Sequence, residues 1–172
     1  MSPEAASEQA QIAVKNPRTG EVLYSVSEYT DEEVQTIYQT AEAAYKKIKA
    51  MTIEERLREV NKLKNYIRDE MDAICLKIVS ETGKSRTDAL LAEIYPILDM
   101  LDYYEKNAKK FLADEKVSVP VVLLGPGLVQ TVKDFFNKKA RIVFEPMGTV
   151  LVIGPWNYPF HLSFFPAVRA FI

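Results

Sequence analysis

The chain has 172 residues, 48% of them apolar and 27% charged, a balance that supports one domain with its own core and excludes a disordered tail. Its 22 Lys and Arg against 24 Asp and Glu give a net charge of -2. The basic residues alternate with acidic ones instead of forming a stripe, which argues against nucleic acid as a partner.

The amino terminus, Met1-Ser2-Pro3-Glu4-Ala5-Ala6-Ser7-Glu8, has neither a positive n-region nor an apolar h-region, so no secretory signal is read and a cytoplasmic location is expected. Two short β-like runs flank Asn16-Pro17-Arg18-Thr19-Gly20, where Pro and Gly supply turn geometry, and predict a hairpin. Thr30-Asp31-Glu32-Glu33 is a capping box, predicting a helix from about Asp31 to Lys49. Thr52-Ile53-Glu54-Glu55 repeats that signal and opens an amphipathic pattern with apolar residues at Ile53, Leu57, Val60, Leu63, Ile67, Met71, Ile74 and Ile78. A single helix is predicted there, ending near Thr82 because Gly83 suits a left-handed stop.

Cys75, the lone cysteine, lies beside that stripe and has no internal disulfide partner. With no histidine and no glycine-rich helix start near it in sequence, it reads as a structural, half-buried thiol and not a reactive one. No metal site is expected. A third helix is predicted over about Thr87 to Leu112, kinked near Ile94 because Pro96 removes a ladder hydrogen bond.

The character then changes. Val117 to Leu124 and Ala140 to Glu145 are β-rich and enclose a Gly-Pro-Gly turn and a short amphipathic piece, Leu128 to Phe136, as in a protruding two-stranded arm. Thr149 to Ile153 is a continuous aliphatic run, the pattern of a strand covered on both faces in a parallel sheet. A loop, Gly154 to Pro159, and a helical segment from Phe160 follow. Gly154, Pro155, Asn157, Pro159, His161, Pro166 and Arg169 interrupt the apolar end too often for a membrane span. A strand, loop and helix begin a βαβ unit, which needs further parallel strands. Without them Leu162, Phe164, Phe165, Val168, Phe171 and Ile172 would form an exposed apolar patch. The other outcome is that this segment packs back on the three helices.

The run Glu145-Pro-Met-Gly-Thr-Val-Leu-Val-Ile-Gly-Pro-Trp-Asn-Tyr-Pro-Phe160, with Asn16-Pro17-x-Thr-Gly20 upstream and Glu81-Thr82-Gly83-Lys84 between the helices, resembles the amino-terminal third of the aldehyde dehydrogenase superfamily. The order of elements is similar too, from about Asn16 to Ile172. The resemblance implies an α/β fold in three parts: a hairpin with helices over 1–116, an oligomerisation arm over 117–147, and the start of a doubly wound cofactor domain over 148–172, cut off after its first strand and helix. It implies NAD or NADP as cofactor, an aldehyde as substrate, and a homo-oligomer formed through the arm. Ile153, Gly154, Pro155 and Trp156 would line the nicotinamide side of the cofactor cleft, in keeping with ligand binding beyond strand ends. Asn157 would donate its amide to the oxyanion of a thiohemiacetal.

Read without the resemblance, Asn157 is a turn residue before Tyr158-Pro159, Trp156 a hydrophobic plug, and His161 a surface residue at a helix start. The family's nucleophilic cysteine and glutamate base have no counterpart in these residues, and Cys75 lies in the wrong element to replace the nucleophile. No Gly-x-Gly-x-x-Gly occurs, and Gly125 to Lys139 is longer than the arm turn the family suggests. The chain is therefore expected to be inactive alone. The other reading is a non-catalytic module that associates with a full-length partner.

Overall fold

The computed structural model describes residues 10–117 and 139–172. The chain divides into two compact units, Met1–Ala108 with Gly148–Ile172, and Lys109–Met147.

The first unit opens with the expected hairpin. Strands β1 (Gln11–Lys15) and β2 (Val22–Ser27) pair antiparallel, Val14 opposite Tyr24, with a register shift between Val14 and Lys15. The turn is closed by the Asn16 side chain, whose Oδ1 accepts from Arg18 N at 2.9 Å, and by Gly20 at φ 75°. Helix α1 (Asp31–Ala50) starts at the Thr30 capping box, with both reciprocal hydrogen bonds formed, and has no buried residue.

The single helix expected over Thr52 to Thr82 is two. Helix α2 (Ile53–Asp69) starts at the Thr52 capping box and stops at Glu70 (φ -96°, ψ 14°), where α3 (Met71–Thr82) begins. No Gly or Pro marks the break. It re-aims the apolar stripe, so that Val60 and Ile67 of α2 and Cys75 and Ile78 of α3 all reach the core, while Leu63 stays partly exposed. Gly83 ends α3 in the left-handed region, φ 71°.

Helix α4 (Arg86–Ala89) is capped by Ser85, whose Oγ accepts from Asp88 N at 3.0 Å. The irregularity expected near Ile94 takes the form of a π-turn, Leu90–Ile94, before α5 (Tyr95–Phe111). Pro96 sits in the first turn of α5. A widened turn just ahead of it absorbs the missing donor without breaking the rod.

Residues 149–153, expected as a strand, enter no sheet among the described residues, whose two sheets are both two-stranded. A strand persists through its ladder, and here no described strand pairs with it. Leu151 and Ile153 are 83% and 84% exposed. The last helix, α6 (His161–Phe171), does form, and takes the packed-back outcome. Val168 and Ile172 are buried with Ile67, Ile94, Ile97 and Leu101, and Phe160, Phe164, Phe165 and Phe171 pack on that cluster.

The second unit contains strands β3 (Glu115–Val117) and β4 (Ala140–Ile142), antiparallel, with Lys116 opposite Arg141. The first arm strand thus reaches two residues earlier than expected. Its continuation to Leu124, the Gly-Pro-Gly turn and the Leu128 to Phe136 piece lie outside the described residues. No described helix is long and apolar enough to cross a membrane.

Candidate functional site

The segment from Ile153 to Phe160 leads from the exposed aliphatic run into α6. Asn157 lies in its turn, exposed, and no hydrogen-bond partner for its side chain occurs among the described residues. Its flanking residues are fixed. Trp156 is 57% exposed, so it is no hydrophobic plug, and its Nε1 donates to Glu81 O at 3.2 Å. Tyr158 lies beneath Lys84, with Nζ 3.8 Å from the ring centroid, a distance at which a cation is attracted to the aromatic face.

Gly154 is required for space. A Cβ there would lie 1.8 Å from Ser163 Oγ and 3.0 Å from Ser163 Cβ, so its bare side faces α6. Ile153 and Trp156 leave open apolar surface.

One residue that sequence reasoning missed stands behind this loop. Glu93, in the π-turn, is fully buried. Its Oε1 accepts from Lys84 Nζ at 2.5 Å, and its Oε2 accepts from Phe160 N at 2.9 Å and His161 N at 3.4 Å. A buried carboxylate survives only if paired and hydrogen-bonded. The one local hint is an acid inside the apolar run Leu90, Leu91, Ile94, Ile97, since a charged residue on a buried face needs a partner.

His161 stands at the helix start as expected but is half-buried instead of on the surface. Its Nδ1 donates to Ala92 O at 3.1 Å, and its ring packs edge-on against Phe165 at 4.7 Å. Beside α6 a cleft of about 510 Å³ is walled by Asp99, Tyr103, Tyr104, His161, Phe165 and Arg169. Cys75 is fully buried, its Sγ 3.6 Å from Arg86 O, out of reach of any substrate.

The hairpin braces the segment that carries Glu81 and Lys84. Tyr24 donates to Glu81 Oε1 at 2.8 Å, and Arg18 Nε donates to Gly83 O at 3.1 Å. Burial, and then the Glu81 hydrogen bond, push the Tyr24 hydroxyl above its ordinary range. Between α2 and α5, Lys64 is buried between Asp102, at 2.9 Å, and Glu105. Hydrogen bonds to Glu105 and then Asp102 raise its affinity for the proton, and the Lys64 hydrogen bond lowers that of Asp102.

The model of the aldehyde dehydrogenase family matches residues 4–172. A 4,4'-diapolycopene aldehyde oxidase from Methylomonas sp. is 41% identical over 122 residues, 71% of this chain and 21% of that protein. Among solved structures, aldehyde dehydrogenase 21 from Physcomitrella patens, in complex with succinate, has a TM-score of 0.79 at 20% identity, over 96% of this chain and 32% of that one. A succinic semialdehyde dehydrogenase from Streptococcus pyogenes, in complex with NADP+, has a TM-score of 0.72 at 24% identity, over 87% and 30%. A betaine aldehyde dehydrogenase from Staphylococcus aureus, in complex with NAD+, has a TM-score of 0.72 at 22% identity, over 94% and 29%. The chain thus spans between a fifth and a third of the length of these relatives.

Proposed function

The chain belongs to the aldehyde dehydrogenase family, and on that premise we propose that it supplies the amino-terminal part of an NAD(P)-dependent enzyme that oxidises an aldehyde to a carboxylate. The thiol that attacks the aldehyde and the glutamate base are assigned to sequence outside these 172 residues, because Cys75 is sealed in the core.

In this reading Asn157 holds the reacting oxygen. When a thiolate adds to the aldehyde carbon, the carbonyl oxygen becomes an oxyanion, and a fixed amide N–H aimed at it stabilises that charge more than it stabilises the neutral carbonyl. The observation that carries the assignment is that Asn157 is presented outward, with its amide unclaimed by the described residues, from a loop whose neighbours on both sides are tied down. Preorganisation of this kind is what makes a donor catalytic.

Ile153, Pro155 and Trp156 would pack against the nicotinamide ring of NAD or NADP, with Gly154 contributing backbone to the same wall. When bound, that group accepts the hydride. The neighbours with NAD+ or NADP+ support either cofactor. The β3–β4 arm would join copies of the chain, and a cytoplasmic location accords with the sequence.

The test is Asn157→Ala in the complete enzyme. Losing one such donor costs about 2.7–4 kcal/mol in comparable sites, so kcat falls about 10²- to 10³-fold. Melting temperature and cofactor affinity stay near the parent's, because the amide has little to bind before the oxyanion forms. A kcat within about threefold of the parent refutes the oxyanion role.

A further inference from the structure

The loop that carries Asn157 is gripped at alternate positions. Trp156 is tied to Glu81 O, Tyr158 lies under Lys84, and the Phe160 and His161 amides meet Glu93, while Asn157 and Pro159 fall between the anchors. Two of the three anchoring residues, Lys84 and Glu93, are one ion pair. We infer that Lys84 and Glu93 form a buried latch that positions the Trp156–Phe160 loop and, through it, the Asn157 amide; the second half of this inference rests on the oxyanion reading above.

The chemistry of the pair goes beyond a helix cap. Helix α6 receives no capping hydrogen bond from its own N-cap residue, Phe160, so its first amides need an outside acceptor. A carboxylate at that end also meets the positive pole of the helix. A neutral side-chain carbonyl would satisfy the same amides, however, without the cost of burying a charge. Glu93 is buried completely, and the Lys84 side chain is only 18% exposed.

The charge has a further use. The ammonium that neutralises Glu93 is the same one that lies over the Tyr158 ring, so a single cation joins the two sides of the loop. The π-turn contributes by burying Glu93 together with its neighbour Ile94. Lys84 follows Gly83 directly, and the left-handed Gly83 ends α3 just before it. Glu81, which anchors Trp156, stands three residues earlier. One short segment thus carries both the indole acceptor and the cation.

Trp156 is the only tryptophan, so its fluorescence reports this loop alone. The deciding variant is the double substitution Lys84→Met with Glu93→Gln. It keeps an acceptor for the α6 amides and leaves no uncompensated buried charge, so folding is retained, as far-UV circular dichroism checks. It removes only the ion pair and the cation over Tyr158. The expected result is a new sub-nanosecond component in the Trp156 anisotropy decay and about a twofold rise in acrylamide quenching, because a released loop moves on that timescale. Lys84→Arg, which keeps the charge and can lie over the ring, should stay close to the parent.

A folded double variant with the parent's decay and quenching overturns the latch, as does Lys84→Arg behaving like the double variant. In the complete enzyme the double variant should lower kcat with little change in KM. If Trp156 is released and kcat holds while Asn157→Ala still lowers kcat, the latch does not position the amide, and the inference falls with the oxyanion reading intact. If Asn157→Ala itself leaves kcat unchanged, the oxyanion reading falls, and fluorescence alone decides whether the latch holds the loop.

Discussion

Replacing Gly154 by Ala tests how closely the Pro155–Phe160 loop is seated on α6. The new Cβ would lie 1.8 Å from Ser163 Oγ, 3.0 Å from Ser163 Cβ and 3.4 Å from Ser163 Cα. The hydroxyl can rotate away, but the second distance is set by the helix and must open by a few tenths of an ångström. Overpacking of this kind costs about 1–3 kcal/mol. Restricting the unfolded chain returns about 0.4–1 kcal/mol, which leaves a net loss of about 1–2 kcal/mol. For a protein of this size that lowers Tm by about 2–8 °C. The assay is a double-mutant cycle by thermal and urea unfolding. In a Ser163→Ala background the closest contact is gone, and Gly154→Ala should cost less by at least about 0.5 kcal/mol. An unchanged or raised Tm for Gly154→Ala, or an identical cost in both backgrounds, would refute the packing role.

Other outcomes follow from features away from the loop. Thr52→Ala removes the hydroxyl of the α2 capping box and should cost about 1 kcal/mol in urea unfolding, because α2 carries the buried residues Val60 and Ile67; a loss below about 0.3 kcal/mol contradicts this. Gly83→Ala forces a Cβ into left-handed backbone at φ 71° and to 3.0 Å from Pro17 Cγ, and should cost about 1–2 kcal/mol with loosening of the hairpin; near-parent stability would count against it. The Lys64 cluster predicts a pH dependence with two limbs. Asp102 is more acidic folded than unfolded, so its contribution is present above the unfolded value of about 3.9 and is lost as pH falls through the lower folded value. Lys64 is raised, so its contribution is complete below about pH 10.4 and is lost as pH rises through the folded value. The stability difference between parent and Lys64→Met should therefore be flat from about pH 5 to 10 and shrink on both sides, and a pH-independent difference excludes the pairing.

What the sequence revealed was local. The Thr30 and Thr52 boxes, the Gly20 turn and the Gly83 stop each act within four residues, and each stands where its signal put it. The break at Glu70 was hidden because no Gly or Pro marks it, and its cause lies in where Cys75 and Ile78 must point. The aliphatic run 149–153 misled for a related reason. Its composition records which neighbours suit it, whereas a strand forms only when they pair with it. Asn157 and its neighbours were singled out through family resemblance alone. Glu93 escaped because its partners lie 9, 67 and 68 residues away, a separation that no periodicity encodes.

Helix α1 differs in kind from the rest. Its twenty residues are capped, acidic in the first turn and basic in the last, yet none is buried, and Val34, Ile37 and Tyr38 are each about half exposed. Its caps and end charges are written in its own sequence, and within it only Ala41, Tyr45 and Ile48 are partly covered. Such a segment opens as a separate foldon, exchanging its amide hydrogens at a free energy well below that of global unfolding. A helix of this length forms and opens within about a microsecond, fast enough to exchange many times while the α2–α6 core stays closed. Changes along its outer faces should therefore alter local exchange rates while leaving the cooperative transition where it is.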